Sequence, residues 1–140
     1  MKRTIVATCT LMLAACAGSP ATTGPSAEAA IRPASGSQVH GVVKFTEVGN
    51  AVRVNAELAA VPSGLTTLRT HEKGDCSAAD AASAGVLERE IGPLYSDEYG
   101  KATGTYTMTG TSVSKNTGGL IGKGVIIQNG KDRVGCGTIE

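Results

Sequence analysis

Between Ala51 and Ala59, Val52, Val54, Ala56 and Leu58 alternate with Arg53, Asn55 and Glu57, the period-two contrast of a strand with one buried face. The preceding run, Gln38 to Val48, alternates less cleanly. Val39, Val43 and Phe45 share one face, and His40, Val42, Lys44 and Thr46 the other. Gly49-Asn50 between the two runs predicts a two-residue hairpin turn. Upstream, Ala27 to Pro33 is short and reads as a first edge strand, with Pro33 tolerated at its end. Downstream, Pro62-Ser63-Gly64 breaks the pattern, and Leu65 to Glu72 predicts a strand with Leu68 and Thr70 on one face and Arg69 and His71 on the other. Lys73 to Gly100 shows no strong period. Gly74, Asp75, Gly85, Gly92, Pro93 and Gly100 punctuate it as loop, with a weak helical turn over Ala78 to Val86. The Thr-rich alternation of Ala102 to Ser114 predicts one strand or a bent pair, Gly124 to Gln128 a short buried strand, and Arg133 to Ile139 the last strand. About seven or eight short strands without crossover helices describe an all-β sandwich or Greek-key barrel over 27–140.

The first 15 residues follow a different rule. Lys2 and Arg3 precede an apolar stretch from Thr4 to Leu13, and Leu13-Ala14-Ala15-Cys16 closes it, the layout of an export signal too short to span a bilayer. The LAAC tetrapeptide resembles a bacterial lipobox, which implies cleavage before Cys16 and lipid on its thiol and new amine. Residues 16–26 then read as the lipidated cysteine and a tether. Ala17 to Pro25 carries no charge or period, and its composition gives a reach of roughly 20 Å. Ala17, not aspartate, follows the cysteine, so the expected address is the bacterial cell envelope, on the outer membrane with the domain in the periplasm.

Charge and composition narrow the partners. The chain has 13 Lys and Arg against 12 Asp and Glu, and the signal removes Lys2 and Arg3, so no basic surface for nucleic acid is expected. With no Trp, three Tyr and one Phe, platforms for stacking bases or sugars are few. The nineteen glycines favour strands and turns. Of the four cysteines, Cys9 leaves with the signal and Cys16 takes lipid. Cys76 and Cys136 then read as one disulfide, with a free-thiol or metal-binding pair as the alternative.

Four blocks carry a resemblance. HEKGDCSAADAASAG from His71, LIGKGVIIQ from Leu120, RVGCGTI from Arg133, and VHGVVKFTEVGN with the PSGL turn occur in the order found in the copper/zinc superoxide dismutases, here in a bacterial lipoprotein-type form. The resemblance runs from about Ala29 onward. It implies an eight-stranded Greek-key β-barrel with a Cys76–Cys136 disulfide, and it matches Arg133 to the arginine that guides superoxide.

The metal residues implied by the same resemblance are mostly missing. The family's H-x-H strand supplies two copper ligands, but Arg69 stands in the first position and only His71 remains. Val86 and Leu87 follow Gly85 where a bridging histidine belongs, and Gln128 stands where the last copper histidine belongs. For zinc, Val86 to Tyr99 contains no histidine, and Glu90 alone falls near the place of the family's aspartate. Arg69 also sets a permanent cation beside His71.

These substitutions predict neither a catalytic residue nor a copper or zinc cofactor. His71 is expected to anchor a loop or lie at the surface, His40 to be exposed, and Arg133 to pack around the disulfide. Glu72, Asp75, Glu88 and Glu90 form a solvated acidic region. The expected function is a non-catalytic binding or structural module, with the membrane as one partner through its lipid and an envelope protein as another. Two other readings stay open: a divergent copper-dependent superoxide dismutase using His71 and Arg133, and weak periplasmic copper buffering or delivery involving His71, Met108 or acidic residues.

Overall fold

The computed structural model describes residues 23–140; the signal, Cys9, Cys16 and Ala17 lie outside the described residues. Eight strands follow one another: β1 (Thr23–Pro33), β2 (His40–Val48), β3 (Ala51–Ala59), β4 (Thr66–His71), β5 (Leu87–Leu94), β6 (Ala102–Thr109), β7 (Gly124–Asn129) and β8 (Asp132–Thr138). They pair in the order β5-β4-β7-β8-β1-β2-β3-β6, every strand pair antiparallel, as an almost closed Greek-key barrel.

The β2–β3 hairpin follows the hydrophobic pattern. Val43 pairs with Ala56 and Phe45 with Val54, and Gly49 takes the turn at φ 63°, where a side chain would be disfavoured. Inward side chains of both halves meet in one core. Phe45, Leu68, Leu94, Ile127, Ile139, Val43, Val52 and Val54 are all almost completely buried there. A smaller cluster of Ala34, Ala81, Ala84, Ile126 and Cys136 forms outside β7 and β8, under the loop between β4 and β5.

Two expectations change. β1 begins at Thr23, within the expected tether, and it is not an edge strand: it pairs with β2 along its length and with β8 through Arg32–Cys136 and Pro33–Gly135. The true edges are β5 and β6. β5 lies inside the segment that reads as loop. Its first four residues, Leu87 to Glu90, are all exposed, so no inside-outside contrast marks the strand, and Pro93 is tolerated because an edge strand need not donate on both sides. Of the two alternatives for the Thr-rich run the single strand is found, ending at Thr109, and the weak helical turn is one 3-10 turn, Ala82–Ala84.

Side chains bridge the seam between the edges. The Tyr106 hydroxyl donates to the Pro93 carbonyl at 2.6 Å, and Arg89 Nη1 donates to the Thr109 carbonyl at 2.8 Å. The Tyr106 side chain lies over Gly104 and against Gly92, where a Cβ would come 2.2 Å from its hydroxyl oxygen and 2.6 Å from its ring, respectively.

Candidate functional site

β4 carries the candidate site. Leu68 and Thr70 point into the barrel, and Arg69 and His71 point out, His71 toward the loop of residues 72–86 and Arg69 toward β5. That loop is bound to the barrel at many points. The Cys76–Cys136 disulfide ties it to β8, with Cα atoms 5.7 Å apart. Gly74 N–H donates to the Gly122 carbonyl at 2.9 Å and Ser35 N–H to the Ala79 carbonyl at 2.7 Å, while the hydrogen bond from Lys73 N–H to the Ala84 carbonyl at 3.1 Å closes the loop on itself.

His71 is 2 % exposed. Its Nδ1 lies 2.9 Å from the Gly85 carbonyl, which can only accept, so Nδ1 carries the proton and Nε2 a lone pair. Nε2 is buried without a hydrogen-bond partner, as is Thr67 Oγ1 two positions beyond Arg69 on the same face. The Gly85 carbonyl also accepts from Arg133 Nη2 at 3.2 Å, while Arg133 Nη1 donates to the Ala81 carbonyl at 2.8 Å. One carbonyl thus joins β4, β8 and the loop. Burial lowers the His71 pKa below its ordinary value. The hydrogen bond to Gly85 opposes that shift, and the positive charges of Arg133 and Arg69 add to it. The imidazole is held neutral by its surroundings.

Arg69 turns the other way, toward the edge strand. Its Nε and Nη2 lie 3.2 and 3.0 Å from Glu90 Oε2, a pair partly open to solvent. The other carboxylates of the region are also engaged. Glu88 pairs with Lys123, Glu72 lies 3.8 Å from the Lys73 ammonium, and Asp75 accepts from Ser77 N–H at 2.9 Å. Among the described residues, no three His, Cys, Asp or Glu side chains gather as a metal-binding group.

The structure therefore brings together only some of the residues singled out from the sequence. His71, Arg69, Glu90 and Arg133 share one face with the disulfide at its margin. Gln128 is buried and turned to its own turn, donating to the Gly130 carbonyl at 3.2 Å, and Leu87 is half exposed. His40 is exposed, with Nδ1 donating to the Gln38 carbonyl at 2.9 Å, and Met108 is sealed in the core. Sequence reasoning missed Gly85 and Ala81. Their contribution is a backbone carbonyl, and the positive φ of both, 56° at Ala81 and 76° at Gly85, shows the chain turning where each is aimed.

No protein-family model matches the chain. An extracellular copper-zinc superoxide dismutase of Haemonchus contortus is 29 % identical over 126 residues, covering 79 % of this chain and 69 % of that protein. Barrel, disulfide and similarity fit the copper/zinc superoxide dismutases. The residues present do not fit that family's metals. The position implied for the first copper ligand is a guanidinium in an ion pair, the last is an amide, the bridging position is aliphatic, and one imidazole remains.

Proposed function

We propose that this chain is a non-catalytic, superoxide dismutase-like lipoprotein of the bacterial cell envelope, anchored through Cys16 with its barrel in the periplasm, and acting as a binding or structural module. The observation that carries this reading is Arg69: the position resembling a copper ligand holds a cation paired to Glu90, on the face where His71 and Arg133 are committed to the Gly85 carbonyl. Purified protein exposed to excess copper and desalted is expected to retain well under one equivalent and to leave the rate of superoxide decay unchanged. Stoichiometric copper with rapid dismutation overturns the reading.

One observation favours the copper-binding reading: His71 Nε2 is a buried lone pair without a partner. If it binds copper weakly, His71→Ala loses that affinity. Unchanged affinity removes the second reading.

A further inference from the structure

The loops divide between the two ends of the barrel. Thr23 pairs with Val48, Ala51 with Thr109, and His71 with both Leu87 and Gly124, so the N-terminus of β1, the Gly49-Asn50 turn and the loops of residues 72–86 and 110–123 begin at one end. Thr66 pairs with both Leu94 and Asn129, and Leu58 with both Gly41 and Ala102, which places the loops of residues 34–39, 60–65, 95–101 and 130–131 at the other. We propose that the first end is the surface that lies against the bilayer. This rests on the lipid-anchor reading of Cys16.

Length supplies the first argument. Because β1 begins at Thr23, only residues 17–22 separate the barrel from Cys16. Even fully extended, that stretch reaches about 25 Å. The 11 residues of β1 alone span about 33 Å in the opposite direction. A lipid on Cys16 therefore keeps Thr23 close to the surface and holds the far loops away from it.

The character of the two ends does not supply a second. The near end presents Gly49, Asn50 and the segment Lys115 to Gly118 together with the exposed Glu72, Lys73 and Asp75, and its Glu47 carboxylate accepts from the Val113 N–H. At the far end Asp97, Glu98 and Asp132 are exposed beside Lys101 and Lys131. Leu65, Tyr95 and Tyr99, 72 to 83 % exposed, also stand there, facing away from the bilayer.

The test uses the full chain on vesicles of phosphatidylethanolamine and phosphatidylglycerol bearing an acceptor dye on the headgroups. A donor dye is placed at Asn50→Cys or at Tyr95→Cys, with the native disulfide verified intact. Energy transfer is expected to be at least about twofold stronger from position 50, and inserting about twelve Gly/Ser residues before Thr23 should shrink the difference. Equal or stronger transfer from position 95 at native tether length overturns the orientation. The mass of the N-terminal peptide from the same preparation separates the two ideas. An unmodified Cys16 overturns the anchor and the orientation together, whereas an acylated chain with position 95 nearer the lipid overturns the orientation alone.

Discussion

Gly92→Ala probes how the barrel closes. Gly92 is not among the glycines at positive φ, so a methyl group there meets no backbone penalty. What it meets is Tyr106: the new Cβ would lie 2.6 Å from Cε1 and 2.7 Å from Cδ1 of the ring. The ring has little room to move, since its hydroxyl is bonded to the Pro93 carbonyl and its other edge rests on Gly104. Overpacking of this kind costs about 1–3 kcal/mol. With a urea dependence of about 1–3 kcal/mol per molar for a small domain, the unfolding midpoint should fall by about 1 M. Tyr106→Leu should itself destabilise, yet it should remove most of the cost of Gly92→Ala, giving a coupling of at least about 1 kcal/mol in a double-mutant cycle. Tyr106→Phe keeps the ring and loses one hydrogen bond to an exposed residue, so its cost should stay near about 0.5–1 kcal/mol and the clash should persist. A neutral Gly92→Ala, or a full penalty in the Tyr106→Leu background, would refute the steric account of the seam.

Two further outcomes follow from the site. The lowered pKa of His71 means that the unfolded chain takes up the proton first as pH falls; its contribution to stability is complete above the unfolded value of about 6.5 and is lost as pH drops through the lowered folded value. Urea midpoints between pH 8 and pH 5 should show this loss, and His71→Gln should flatten it; an unchanged slope in the variant would assign the effect elsewhere. Reducing the Cys76–Cys136 bridge, which spans 60 residues, should lower stability by about 4 kcal/mol in the loop-entropy account, read as a fall in the unfolding midpoint with reductant. A midpoint indifferent to reductant would contradict that.

Most of the barrel was legible because its strands bury one face. Val52 to Leu58 announce β3, and Gly49-Asn50 fixes the hairpin to β2. Where burial gives no contrast, the pattern is silent: Leu87 to Glu90 form an exposed edge, and Gly92 and Pro93 within β5 look like loop punctuation. Local pattern also misjudged β1. Its pairing with β8 depends on residues about a hundred positions away, which no short window contains. At the site, the absence of imidazoles at Arg69, Leu87 and Gln128 could be read directly. The partners of His71 and Arg133 could not, because they are the carbonyls of Gly85 and Ala81, and a carbonyl has no residue type to betray it.

Those carbonyl contacts bear on how the site keeps its shape. Arg133 and His71 meet at the Gly85 carbonyl, the disulfide pins the same loop to β8, and Arg69 with Glu90 ties β4 to the edge strand. Each of these connections is made by groups of the chain itself, so the loop of residues 72–86 can be held without an ion at its centre. Burial and the charges of Arg133 and Arg69 all disfavour a positive charge on the His71 imidazole. The Arg69–Glu90 pair, being partly solvated, contributes no more than about 1 kcal/mol to stability. Glu90 offsets part of the Arg69 charge, and what remains acts with Arg133 on the His71 imidazole. The face is thus held by an ion pair and carbonyl contacts made by the chain's own groups.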